Sequence, residues 1–261
     1  MNDLGRRAGG VVRIGHRGAA ALEPENTIRS FERAIELGVD FVELDVLDLG
    51  DGTLVVAHSD DLAEVSHGRA QGRVRRLSLA RLRELVPELP TFDEALDRLF
   101  SVDGVGIHVD VKARSRSGEI ARALERHGMI HRAVASSFSA RTLRELAEAA
   151  PRLRLGLTYP DDRHGLARRR LLAPLVPSAV AALARVLPRR LPRWLAATRA
   201  EVAMLHYAVT SPAVVDCCHA RGAAVWAWTV NEAELLDRLI AAGVDGVVSD
   251  DPRIFRATLT A

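Results

Sequence analysis

One pattern constrains this chain above all others: short apolar runs alternate with amphipathic segments along almost its whole length. Residues 11–15, 41–47, 54–57, 106–111, 133–136, 153–158, 201–207, 224–229 and 246–249 read as strands, apolar and bounded by turn residues. Between them lie segments with apolar residues at helical spacing. Residues 27–37 place Ile28, Phe31, Ala34 and Ile35 on one face, with Asn26 as the expected N-cap and Gly38 as the stop. Thr91 caps 92–100, Gly128 closes 117–127, Ser139 caps 140–150, Gly222 closes 212–221, and Asn231 caps 232–242. A strand whose next partner is parallel needs a long crossover, usually a helix. An unbroken βα rhythm therefore predicts a parallel sheet.

Length predicts how that sheet closes. The chain has 261 residues, and a TIM-type (β/α)8 barrel needs about 250. We read 1–261 as a single barrel domain. Nine strands are one too many for eight staves, so one of 41–47 and 54–57, joined through the Asp51-Gly52 turn, is the expected extra. The alternative, an open doubly wound sheet, is disfavoured because no G-x-G-x-x-G turn follows the first strand. Two insertions interrupt the rhythm, a short one over 59–90 and a basic, apolar one over 160–200. Both follow strand C-termini, the catalytic side of such a barrel, so both are expected to flank a site there.

Charge narrows the function classes. With 36 basic and 34 acidic residues the balance is close to neutral, which argues against nucleic acid as a partner. The balance is uneven, however. Residues 163–200 hold nine arginines and no acid, leaving 27 basic against 34 acidic residues elsewhere. Lys112 is the one lysine in the chain. Adjacent Cys217 and Cys218 form no disulfide framework and suggest a reducing compartment. No apolar run reaches the roughly 18 residues of a membrane span, and no secretory h-region precedes the first strand. These features predict a cytoplasmic protein.

The chemistry-bearing residues fall at strand ends. His16 and Arg17 end the first strand, Glu43 and Asp45 lie on the second, His58 follows the third, and Asp110 and Lys112 lie on the next. Pairs at i, i+2 share a strand face. Glu43, Asp45 and Asp110 offer three hard oxygen ligands for Mg²⁺ or Ca²⁺. Arg17 and Lys112 offer charge to a phosphate. His16 and His58 suit a general acid–base pair. Together they suggest metal-assisted phosphodiester cleavage.

An ordered set of motifs resembles the glycerophosphodiester phosphodiesterase family. The set is His16-Arg17-Gly18, Glu25-Asn26-Thr27, Glu43-x-Asp45, Asp51-Gly52 before His58, Asp110-x-Lys112, Ser137-Phe138, Trp228-Thr229-x-Asn231 and Gly243-Val244-Asp245-Gly246 through Asp250-x-Pro252. The resemblance implies a phospholipase C-like barrel hydrolysing glycerophosphodiesters to glycerol 3-phosphate and an alcohol. It implies that His16 and His58 are catalytic, that Glu43 and Asp45 bind metal, and that Arg17 and Lys112 contact phosphate. It also implies in-line attack on phosphorus, with the glycerol 2-hydroxyl as a candidate first nucleophile. Two positions depart from the family pattern. Asp110 stands where glutamate is usual, and Ser59 separates His58 from Asp60.

Plainer readings stand beside these. Trp228 either lines the substrate or packs the rim, and Glu25 either contacts substrate or only starts a helix. Histidines 67, 108, 127, 131, 164, 206 and 219 show no partner pattern and read as core or surface. Residues 163–200 read as an interfacial segment making peripheral contact with anionic lipid, or as a helical insertion packed on protein. Pro174, Pro177, Pro188 and Pro192 predict short helical pieces there rather than one long helix. Membrane contact would suit a lysophospholipase D-type activity on a lysophospholipid. A phosphate-binding barrel without catalysis is the non-enzymatic alternative. Oligomeric state is left open by the sequence.

Overall fold

The computed structural model describes residues 4–5, 10–113, 115–161 and 176–258. Nine strands form one sheet: β1 (Val12–Gly15), β2 (Phe41–Asp48), β3 (Leu54–Val56), β4 (Gly106–Val111), β5 (Ala133–Ser137), β6 (Arg154–Tyr159), β7 (Val202–His206), β8 (Ala224–Trp228) and β9 (Gly246–Ser249). β1 pairs with both β9 and β2, so the sheet closes on itself. The closed ring is β1, β2 and β4 to β9, all parallel, as in a TIM-type (β/α)8 barrel. β3 is the extra strand and runs antiparallel to β2 outside the ring.

The helices are α1 (Ile28–Glu36), α2 (Leu62–Val65), α3 (Leu79–Leu85), α4 (Phe92–Phe100), α5 (Ser117–Arg126), α6 (Ala140–Ala149), α7 (Val176–Thr198), α8 (Pro212–His219) and α9 (Ala233–Ala241). Thr91 and Glu94 make a capping box on α4, and Ser139 caps α6. Two expected caps are corrected. Thr27, not Asn26, caps α1, and Asn231 caps nothing because its side chain is taken by Asp250.

Strand alternation sorts the core into two layers. On β2, Val42, Leu44 and Val46 face the helices, whereas Phe41, Glu43 and Asp45 share the opposite, inward face. The lumen is filled by Val12, Ile14, Phe41, Val134, Val202, Met204, Trp226 and Val248. Lumen glycines make room for its largest members. A Cβ on Gly246 would lie 2.6 Å from Trp226 Cδ1, and one on Gly156 would lie 2.6 Å from Met204 Cε.

The 59–90 insertion has its own small core. Leu62, Val74, Leu82, Val86 and Leu89 pack on Leu47, Leu49, Val55 and Ala57, separate from the main cluster. In the second insertion, residues 162–175, including Arg163 and Arg168 to Arg170, lie outside the described residues. The remainder overturns one expectation, because Val176–Thr198 is a continuous helix with Pro188 and Pro192 inside it. Each interior proline costs about 3 kcal/mol. Leu187, Leu191 and Leu195, spaced four apart, are fully buried and offset this at roughly 1.5–3 kcal/mol each.

The rigidity of the neighbour sets the cost of filling a lumen gap. Gly246→Ala presses on the fully buried Trp226 ring and is expected to destabilise by about 1–3 kcal/mol, seen as a Tm lowered by several degrees. Gly156→Ala meets mainly the flexible Met204 side chain, with Ser136 Cβ farther off at 3.3 Å, and is expected to cost less. Equal melting temperatures for the two variants would contradict this account of the lumen.

Candidate active site

The strand C-termini meet at one rim, and the chemistry gathers there. His16, Arg17, Glu43, Asp45, His58, Asp110, Lys112 and Trp228 all line one pocket of about 710 Å³. Glu25 stands apart. It lines a smaller adjoining cavity of about 320 Å³, which His58 also borders, and reaches the main site through a 2.6 Å bond from Arg17 Nη1.

Glu43, Asp45 and Asp110 are buried, and each offers an oxygen within 4.8 Å of the other two. Such proximity is costly unless charge is compensated. Burial pushes Glu43 up to about 8, and the neighbouring Asp45 adds to the push. Asp45 moves the other way. Burial would raise it, but Lys112 and Arg17 hold it below the ordinary carboxylate range. Lys112 Nζ lies 2.5 Å from Asp110 Oδ2 and 3.3 Å from Asp45 Oδ1. Arg17 Nε lies 3.1 Å from Asp45 Oδ2, an ion pair without hydrogen-bond alignment. Three hard oxygens gathered around one point fit a divalent cation.

Local backbone strain aims these groups. Arg17 sits at φ 50° and turns its backbone N–H onto Glu43 Oε2 at 2.7 Å. Asn26 sits at φ 59°, a conformation asparagine tolerates better than most residues. Its side chain donates to Asp45 Oδ2 at 3.0 Å and accepts from the Asp45 backbone N–H at 3.2 Å. Asn26 is thus spent on a carboxylate rather than on the helix.

The two histidines differ in support. His16 Nδ1 bonds Asp250 Oδ1 at 2.6 Å, which turns Nε2 to the pocket, 4.0 Å from Glu43 Oε2. Asp250 is itself gripped by Asn231, through Nδ2 at 2.7 Å and by its own backbone N–H to Oδ1 at 2.9 Å. Burial would lower the His16 pKa, but Asp250 and Glu43 outweigh it and raise it. Among the described residues the His58 ring makes no hydrogen bond. Burial lowers its pKa, with Arg17 and Lys112 adding to the fall against the pull of Asp45. Ser59 and Asp60 serve the loop instead. Ser59 Oγ accepts from the Asp61 N–H at 3.0 Å, and Asp60 accepts from the Arg75 N–H at 3.0 Å.

The far wall is aromatic. Trp228 meets Phe138 and His206 edge-on, with ring centroids 6.1 and 5.1 Å away, and its Nε1 donates to Met204 O at 3.0 Å.

Residues 16–254 match the family model described as the glycerophosphoryl diester phosphodiesterase family. The chain belongs to that family. A glycerophosphodiester phosphodiesterase of Caldanaerobacter subterraneus is 30% identical over 257 residues, covering 92% of this chain and 93% of that one. Another, from Bacillus subtilis, is 24% identical, covering 94% and 85%. Among solved structures, a glycerophosphodiester phosphodiesterase of Thermotoga maritima shares the fold at TM-score 0.73 and 23% identity, covering 94% and 96%. An Oleispira antarctica phosphodiesterase in complex with the product sn-glycerol-3-phosphate does so at TM-score 0.75 and 23% identity, covering 97% and 98%.

Several residues in or beside the pocket had no functional role in the sequence reading. Asp250 stood in the family motifs without a role, and Asn231 read only as a helix cap. His108 read as an ordinary core or surface histidine, yet it lines the pocket. Its signal was strand spacing: His108, Asp110 and Lys112 follow at i, i+2, i+4. His206 carried no such signal.

Asp250→Asn removes the charge that favours the His16 imidazolium. The His16 pKa, followed by NMR titration, is expected to fall, and kcat to fall by at least tenfold through loss of ring orientation. An unchanged His16 titration would show that Asp250 does not act on the ring.

Proposed function

We propose that this enzyme hydrolyses glycerophosphodiesters to glycerol 3-phosphate and an alcohol, with His16 and His58 as the acid–base pair. The observation that carries the reading is the convergence of two histidines, three clustered carboxylates, Arg17 and Lys112 on one pocket. The family and the product named for the Oleispira relative support the substrate class.

Glu43, Asp45 and Asp110 would hold Mg²⁺ or Ca²⁺, which supplies Lewis-acid stabilisation of phosphate charge when bound. Arg17 and Lys112 neutralise the phosphate diester, the first with a planar fork and the second with a point charge. In-line attack needs one histidine to take the proton of the attacking hydroxyl and the other to give one to the departing alkoxide. The two must start turnover in opposite protonation states. Asp250 and Glu43 favour a protonated His16, whereas burial, Arg17 and Lys112 favour a neutral His58. The aromatic wall would receive the organic part of the substrate.

His16→Ala and His58→Ala are each expected to slow release of glycerol 3-phosphate from glycerophosphocholine by on the order of 10²-fold or more. EDTA is expected to abolish release, and Mg²⁺ or Ca²⁺ to restore it. Full activity in either variant would remove that residue from catalysis.

One observation favours a second reading, cleavage of lysophospholipids at a membrane surface by a peripherally bound enzyme. Val180 of α7 lines the pocket, and on the same helix Leu183 and Val186 are 38% and 41% exposed beside Arg185, Arg189 and Arg190. An apolar strip leading from the pocket, flanked by arginines, suits an acyl chain in an anionic interface. No described helix is long and apolar enough to cross a membrane. Leu183→Asp with Val186→Asp is expected to cut activity on lysophosphatidylcholine in phosphatidylglycerol vesicles about tenfold and to spare glycerophosphocholine. No sedimentation of the unmodified enzyme with those vesicles would overturn this second reading.

A further inference from the structure

We infer that His108 and Ser136 are positioning residues for Asp110, forming a hydrogen-bond relay that aims the third carboxylate of the cation site. The inference rests on the cation-binding role proposed above for Glu43, Asp45 and Asp110.

Ser136 Oγ lies 3.1 Å from Asp110 Oδ1 and 2.9 Å from His108 Nε2. An ionised carboxylate only accepts, so the serine hydroxyl hydrogen goes to Asp110. The hydroxyl then offers His108 only its lone pairs, and the imidazole must carry its hydrogen on Nε2. This network assigns one direction to the chain, from His108 through Ser136 to Asp110.

The strands set the three residues in place. Asp110 on β4 stands opposite Ser136 on β5, and His108 precedes Asp110 by two residues on the same strand face. His108 is 5% and Ser136 1% exposed, so bulk water does not compete for these bonds. The His108 ring packs edge-on against Trp226, with centroids 5.7 Å apart. A lumen aromatic thus holds the ring that holds the serine hydroxyl.

Aspartate is one methylene shorter than glutamate, so its oxygens have less freedom to find a cation. Lys112 Nζ takes Oδ2 at 2.5 Å, and Ser136 fixes Oδ1, so both oxygens are held before any cation arrives. Without the imidazole N–H, the serine hydroxyl is free to rotate toward other acceptors. Partners that orient a ligating carboxylate commonly change metal affinity 10–100-fold.

The test uses the purified full chain without substrate and Mn²⁺ as the probe, with free Mn²⁺ read by electron paramagnetic resonance. Ser136→Ala is expected to raise the Mn²⁺ Kd about 10–100-fold. His108→Leu is expected to raise it too, but to add nothing in the Ser136→Ala background. His108→Gln, whose amide nitrogen reaches the place of Nε2, is expected to keep near-normal affinity. A purely structural role for His108 would give equal losses in both backgrounds and no rescue by glutamine. A Kd within twofold of the unmodified chain for Ser136→Ala, alongside a weakened Asp110→Asn, overturns the relay and leaves the cation site standing. Asp110→Asn binding Mn²⁺ normally overturns the cation role of Asp110 and the relay with it.

Discussion

Mutual repulsion among three buried carboxylates is the constraint around which the rim is built. Two like charges about 4 Å apart repel by roughly 4 kcal/mol even at an effective dielectric of 20. Glu43, Asp45 and Asp110 are held together because strands, not loops, carry them, and because the barrel cannot relax one strand without moving its neighbours. The surroundings share out the compensation. Lys112 and Arg17 bring charge, Asn26 and Ser136 bring hydrogen bonds, and the Arg17 backbone takes a left-handed conformation to offer its N–H to Glu43. Strain of that kind persists only where surrounding structure enforces it.

Much of this was legible from the sequence for one reason: strand geometry has period two. Glu43-x-Asp45 and Asp110-x-Lys112 announce a shared face, and a parallel barrel brings strand ends to one rim. What escaped was long-range pairing. His16 and Asp250 are 234 residues apart and meet only because β1 closes the ring against β9. Local rules also misassigned Asn26 and Asn231 as helix caps, since a nearby carboxylate outcompeted the helix ends for both side chains. For α7 the proline rule failed where buried leucines outweighed it. Tertiary contacts that no window of sequence contains decided each case.

The pocket divides its tasks between its walls. β1, β2 and β4 present charge and fixed donors, which suit a phosphate of defined geometry. Phe138, Trp228 and His206 present ring edges and faces on the other side. Apolar and aromatic surfaces discriminate among ligands weakly, by about 10–200-fold per methylene-sized difference. This is why the residues specify a phosphate diester so much more sharply than the alcohol attached to it.

The separate small core under the 59–90 insertion gives the site an uneven mounting. His16 and the carboxylates belong to the barrel, but His58 follows directly on Ala57, a member of that minor cluster. Arg75 bridges the two bodies, donating to the Lys112 carbonyl at 2.9 Å. Small clusters open at lower free energy than the main core of a protein. One half of the proposed acid–base pair is therefore mounted on the minor cluster and the proposed cation ligands on the barrel, so the placement of His58 depends on a few leucines and valines outside the ring.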